Sequence, residues 1–307
     1  MNDLYLDFPT FLRRYFDGRV QKISVHAGFT CPNRDGSLGT GGCTYCNNQT
    51  FNPAYCRPSL GVRQQVEEGI AFFRHKYPTM RYLAYFQAYT NTYGQLDQLM
   101  AMYEEALSVP GVVGIVIGTR PDCVPDALLD YLADLARRTF VLVEYGIEST
   151  SDATLRRINR GHTFAASADA VRRTASRGIL TGGHLILGLP GETDEQMLAT
   201  ASIISSLPLH IIKLHQLQLI RGTRMAQEYA DRPDDFHLFT VDEYIHLVTR
   251  FVERLRPDIV LERFVSSSPK DLLLAPDWGL KNYEYVELLK RHMQALGTHQ
   301  GRLYTPA

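Results

Sequence analysis

The chain has 307 residues, enough for one large α/β domain or two ordinary ones, with the 45% hydrophobic and 21% charged content of a globular protein. Its 32 Lys and Arg nearly balance its 33 Asp and Glu, which excludes a global field aimed at a polyanion and leaves only a local basic patch open. The opening residues, MNDLYLDFPTFLRRYF, lack a positive stretch followed by an apolar core, and no apolar run reaches membrane-spanning length, so a cytoplasmic chain without a membrane partner is expected.

In chain order, residues 9–16 offer Phe11, Leu12, Tyr15 and Phe16 as the apolar face of a short helix. Residues 22–27 read as a strand that runs into a Gly-rich loop, GFTCPNRDGSLGTGGCTYC, over 28–46. That loop holds Cys31, Cys43 and Cys46, with eleven residues between the first two and two between the last. A Cys-x-x-Cys pair with a third, more distant cysteine suits a metal centre better than a lone disulfide. Structural zinc closes with four protein ligands, whereas an iron–sulfur cluster held by three thiolates keeps one iron open. The residues leave three readings: an open cluster, a zinc knuckle completed by Cys56, or uncoordinated thiols. Cys56 and Cys123 read as ordinary buried thiols.

Helical spacing through Val66, Ile70 and Phe73 predicts a helix over 62–77, followed by an aromatic strand over 81–89 and a helix over 96–107. The run GVVGIVIG over 111–118 reads as a strand buried on both faces, and Pro121 and Pro125 open a helix to about residue 138. Strands are expected over 140–145, 179–187 and 210–219, with helices over 166–177 and 195–206. Six strand–helix units imply a parallel α/β sheet, an open, partial (β/α)6 TIM-like barrel whose chemistry gathers at the C-terminal strand ends. Beyond residue 225 come a helix over 241–255, a further strand over 258–264, a closing helix over 280–296 and a tail of ten residues expected to be poorly ordered. The chain thus divides into a barrel over 1–225 and a C-terminal α/β extension over 226–307 packed against it.

Polar clusters follow the strands. Tyr45 stands next to Cys46, where a ring shields a cluster, lies against an adenine, or simply packs in the core. Thr90 and Asn91 (before Thr92) suit an amine or carboxylate, or cap the next helix. Glu144 ends a buried strand, where a carboxylate suits two ribose hydroxyls, while Glu148 is expected to start a loop and lie in solvent. The turn from Gly188 to Gly191, GLPG, lets backbone approach a flat ligand. His184, Lys213, His215 and Gln216 alternate along strands, with Lys213 and His215 on one face. Arg156, Arg157, Arg160 and His162 form a basic cluster that suits a carboxylate or phosphate, or a solvated face.

Together, CPNRDGSLGTGGCTYCNN, YFQAYTNTYG, EYGIESTSDATLRRINRGHT, GHLILGLPGET and KLHQLQLIRGT resemble the radical S-adenosylmethionine (SAM) superfamily, and within it the YhcC-type proteins related to the radical SAM half of the Elongator catalytic subunit. The resemblance covers residues 24–225 in blocks. The eleven-residue interval, in place of the usual three, narrows the subgroup, and the acetyltransferase half of Elongator is missing. The resemblance implies a [4Fe–4S] cluster on Cys31, Cys43 and Cys46, with SAM on the open iron. Reductive cleavage of SAM would give a 5′-deoxyadenosyl radical that abstracts hydrogen from the substrate.

By motif position, Tyr45 and the Gly188–Gly191 turn would approach the adenine, Thr90 and Asn91 the methionine amine, Arg160 its carboxylate and Glu144 the ribose. Lys213, His215 and Gln216 would line the substrate side. The implied partners are a reductant protein such as flavodoxin or ferredoxin, and tRNA, through modification of a wobble uridine. The sequence itself contributes only scattered basic pairs such as Arg13–Arg14. Two competing readings stay open: a zinc- or Fe–S-binding interaction protein without catalysis, and a barrel hydrolase using Glu144 with His184 or His215.

Overall fold

The computed structural model describes residues 4–51, 53–74 and 79–306. After α1 (Phe8–Leu12), strands and helices alternate: β1 (Val20–Val25), α2 (Val62–Arg74), β2 (Arg81–Phe86), α3 (Leu96–Leu107), β3 (Val112–Thr119), α4 (Asp126–Ala136) and β4 (Phe140–Glu148). Next come α5 (Asp152–Arg157), α6 (Phe164–Ser176), β5 (Leu180–Leu187), α7 (Asp194–Ser205) and β6 (Ile211–Gln216). The C-terminal stretch holds β7 (Leu219–Ile220), α8 (Arg224–Asp231), α9 (Val241–Arg254), β8 (Val260–Arg263), β9 (Leu273–Ala275) and α10 (Asn282–Ala295). Of the helix expected over 62–77, residues 75–77 lie outside the described residues.

β1 to β6 lie side by side in chain order and β8 adds a seventh strand beside β6, every pairing parallel. This is the expected partial barrel with one strand more than six. β7 and β9 form a separate antiparallel pair. Helix starts are locally encoded: the hydroxyls of Thr163, Thr193, Thr223 and Thr240 accept from backbone N–H groups of the first turns of α6, α7, α8 and α9.

Strand alternation sorts the side chains into two faces. Val25, Ile115, Ile117, Leu185 and Ile212 belong to the main core, together with apolar residues of the surrounding helices. A second core holds Leu83, Val116, Leu142 and Ile211 with Phe8, Phe11 and Leu12 of α1. The N-terminal helix therefore closes the end of the barrel where the strands begin. It is shorter than the sequence suggests: Asp7 caps it by accepting from Thr10 N at 2.7 Å, and Arg13 terminates it.

The expectation of a poorly ordered tail is corrected. Gln300 is buried; its N–H donates to the Leu4 carbonyl at 2.8 Å, and its amide donates to the Ile259 and Arg256 carbonyls at 2.7 and 2.9 Å. The Gln300 side-chain oxygen accepts from Leu6 N. A polar, Gly-containing tail looked loose because its partners are the first residues of the chain and the start of β8, far away in sequence.

Candidate active site

The C-terminal strand ends open onto one cavity of about 430 Å³. Cys31, Cys43, Cys46, Tyr45, Thr90 and Arg160 line one part of it, and Glu144, Lys213, His215 and Gln216 another. Asn91, Gly188 and Gly191 do not line it. Asn91 directs its amide to the Ala88 and Gly118 carbonyls at 3.0 and 2.8 Å, bracing a turn in which Ala88 and Tyr89 have positive φ. Gly188 sits close to the Phe239 ring, where a Cβ would meet ring carbon at 3.0 Å.

The cysteine loop is built on the segment RRINRGHT, residues 156–163. Thr44 N donates to the Ile158 carbonyl at 3.0 Å, Asn159 Nδ2 to the Gly42 carbonyl at 2.7 Å, and Asn33 Nδ2 to the Asn159 carbonyl at 2.6 Å. The proposed basic cluster is therefore divided. Arg157 pairs with Glu228 at 2.5 Å, whereas Arg160 is buried against the thiols. Arg160 Nη1 lies 3.7 Å from Cys43 Sγ and Nη2 donates to the Gly146 carbonyl at 2.6 Å. Arg34 Nη2 donates to the Cys46 carbonyl at 2.8 Å. Burial and the neighbouring Cys43 push the Cys46 thiol up to about 11, against the pull of Arg34 and Arg160. All five cysteines are free thiols, and among the described residues no three His, Cys, Asp or Glu side chains are grouped as a single metal ion requires.

Glu148 corrects the expectation of a solvent carboxylate. It is the last residue of β4, its side chain is 12% exposed, and its Oε1 lies 3.7 Å from Arg160 Nη2. Glu148 lines the cavity on the same parity as Glu144 and Gly146, beside a register shift between Gly146 and Glu148 and with its own φ at 67°. Gly146 is required beside it, since a Cβ there would stand 2.5 Å from Glu148 Oε1 and 2.6 Å from Arg160 Nη2.

Glu144 lies deeper, on the cavity floor, and its side chain is 1% exposed. Lys22 Nζ contacts its Oε1 at 2.8 Å; Lys213 Nζ and His184 Nε2 contact its Oε2 at 2.6 and 3.0 Å. Burial opposes its charge, yet Lys213, Lys22 and His184 outweigh that and hold the carboxyl well below its ordinary range. Glu262 closes the group, 2.6 Å from Lys22 and 3.2 Å from Lys213. A Cβ at Gly182, on the adjacent strand, would lie 3.0 Å from Glu144 Cγ, so glycine there leaves the carboxylate its room. Gln216 donates to the Ser266 carbonyl at 3.1 Å and accepts from Ser266 N at 2.7 Å, clasping the segment after β8 to β6.

Reasoning from the sequence missed Lys22, Glu262, Arg34 and Arg120. Arg120 donates to the Arg160 carbonyl at 2.8 Å while paired with Asp122 at 2.7 Å. Only Lys22 carried a signal, as a cation on the inward parity of a strand.

Comparison with known proteins decides the family. The radical SAM superfamily pattern matches residues 31–204, and the radical SAM C-terminal domain matches residues 209–295. The chain belongs to the radical SAM superfamily. It is 36% identical to YhcC of Escherichia coli K12 over 297 residues, 96% of this chain and 94% of that protein. It is 33% identical to YtqA of Bacillus subtilis over 293 residues, 95% and 90% of the two. A tRNA uridine(34) acetyltransferase of Dehalococcoides mccartyi is 27% identical over 190 residues, 59% of this chain and 40% of that one. In fold, the chain resembles the archaeal Elp3 of Methanocaldococcus infernus, with a TM-score of 0.70 at 16% identity, covering 93% of this chain and 65% of that one.

The radical SAM superfamily implies a [4Fe–4S] cluster and SAM. The residues present fit them. Three thiols of one loop face one cavity, and Thr44 Oγ1, Thr90 Oγ1 and Arg160 Nε are buried without hydrogen-bond partners. Such orphaned groups are what a polar, charged ligand satisfies.

Proposed function

We propose that the chain is a SAM-dependent radical enzyme acting on tRNA, at the side chain of a wobble uridine. The observation that carries the enzyme reading is the junction of three free thiols with Arg160 at one end of a cavity whose other end is a satisfied ionic floor. Cys31, Cys43 and Cys46 would hold the cluster. Thr90 would take the methionine amine, in a turn braced by Asn91; Arg160 would take the carboxylate through its unpartnered Nε; and Tyr45 would lie against the adenine. The ribose falls to Glu148, because the carboxylate oxygens of Glu144 are engaged by Lys22, Lys213 and His184. The Gly188–Gly191 turn would shape the adenine side from behind the wall. Bound there, the cluster and SAM supply a 5′-deoxyadenosyl radical for hydrogen abstraction. The chain's own residues orient the nucleoside and keep water from it.

Support for tRNA comes from kinship with the D. mccartyi acetyltransferase, whose name places its action on tRNA uridine 34. A flavodoxin or ferredoxin would supply electrons, in the cytoplasm; no described helix is long and apolar enough to cross a membrane. The test is made on protein purified and reconstituted without oxygen. About four irons per chain, with matching sulfide, and deoxyadenosine released from SAM after reduction are the expected result. Zinc in place of iron would return the chain to a non-catalytic metal protein. Gel-shift with total tRNA across a salt series tests the substrate, since true phosphate contacts weaken steeply as salt rises.

A further inference from the structure

The polar groups on the cavity floor divide into those already satisfied and those left over. Lys213 Nζ meets Glu144 at 2.6 Å, Glu262 at 3.2 Å and the Tyr85 hydroxyl at 3.3 Å, three contacts for three protons. Lys22 is held between the same two carboxylates, and the Gln216 amide is closed on the Ser266 backbone. The two lysines balance the two glutamates. This floor does not lack charge partners.

Two groups on the same cavity wall remain. His215 bonds the Ser266 hydroxyl through Nδ1, and its Nε2 is buried without a hydrogen-bond partner. Nε2 is therefore the ring atom left for a bound molecule, and as the N–H tautomer it would donate. Burial, then the neighbouring His184 and Arg263, keep the ring neutral. Arg263 lines the same cavity, and among the described residues no side chain pairs with its guanidinium. It is the register partner of Lys213 across β6 and β8, so the uncompensated cation stands beside the satisfied one. An unpartnered imidazole nitrogen and an exposed, unpaired guanidinium lining one cavity suit negative charge, because charge-assisted bonds from Arg to carboxylate or phosphate are the strong ones.

We propose that Arg263 and His215 form a subsite for an anionic group, a carboxylate or a phosphate, carried by the substrate. This rests on reading the cavity as the substrate chamber of a radical SAM enzyme. An anion held at the β6–β8 edge fixes the rest of the substrate relative to the cysteine end, and a cationic group is turned away from the same place.

Arginine labelling with phenylglyoxal tests the subsite on the reconstituted protein. Modification is followed peptide by peptide, with inorganic phosphate or acetate added at ionic strength held constant by chloride. Either anion should slow labelling of Arg263 several-fold more than labelling of the exposed Arg291, and His215→Leu should reduce that protection. Protection by acetate alone assigns a carboxylate; protection by phosphate alone assigns a phosphate. Equal rates at Arg263 with and without both anions overturn the subsite, as does an Arg263 that is never labelled. The wild-type comparison stands even if the variant fails to fold. Deoxyadenosine release, measured on the same preparation, reports separately on the radical enzyme reading.

Discussion

Arg160 bridges Cys43 and the end of β4: its Nη1 lies 3.7 Å from the Cys43 sulfur while its Nη2 is held by the Gly146 carbonyl at 2.6 Å. Hydrogen bonds to cluster sulfurs and the net charge around them are what set the potential of an iron–sulfur centre. Arg160→Leu removes both a donor and a positive charge, which favours the less negative, oxidised state. A lower midpoint is expected in a redox titration followed by electron paramagnetic resonance without SAM. An unchanged midpoint, with the cluster assembled, would remove Arg160 from that role.

Cys43→Ala should abolish cluster assembly while leaving the fold in place, because Cys43 sits in a loop held by hydrogen bonds to the Ile158 carbonyl and the Asn159 side-chain amide. Iron and sulfide content, with far-ultraviolet circular dichroism as the folding control, checks this. Retained cluster absorbance would sink the ligand set. Cys123→Ala should leave iron content unchanged.

Gly146→Ala places a methyl group where Arg160 and Glu148 now pass. Overpacking of this kind costs about 1–3 kcal/mol. The sharper expectation is functional: displaced Arg160 and Glu148 should weaken SAM binding more than stability falls. Equilibrium binding of SAM, set against a denaturant midpoint, separates the two.

Glu144→Gln removes one carboxylate from between two ammonium groups in a buried site, where breaking an ion pair costs on the order of 3–5 kcal/mol. The carboxyl is held below its ordinary value of 4.5, so its contribution is complete above that pH and is lost as pH falls toward the folded-state value. The stability gap between wild type and variant should therefore be widest near neutrality and narrow below about pH 4.5. Denaturant unfolding at several pH values reads this directly. A gap that does not narrow in acid would show that the lost shape, rather than the lost charge, matters.

Much of the barrel was legible because its strands carry apolar runs between amphipathic helices, as in residues 112–118 and 140–143. The gathering of Cys31, Cys43 and Cys46 on one cavity was foreshadowed by their spacing within one loop. What could not be read locally was pairing over distance: Lys22 and Glu144 are 122 residues apart, and only the curvature of the open sheet brings them within 2.8 Å. Glu148 was misplaced for a different reason. The strand was expected to end at residue 145, whereas β4 runs on to Glu148, which keeps the cavity-facing parity of Glu144 and Gly146. The turn from Gly188 to Gly191 carries glycines of the kind expected near a ligand, yet Gly188 has the Phe239 ring against it, so its small size serves packing.

The bond from Gln300 to Leu4 brings the two terminal segments together beside α1, at the closed end of the barrel. A tether, affinity handle or fluorophore joined to either segment would start on the side away from the cysteine loop. The protein can thus be immobilised by one end with its cavity still facing solution, a convenient geometry for single-molecule or surface measurements of ligand binding.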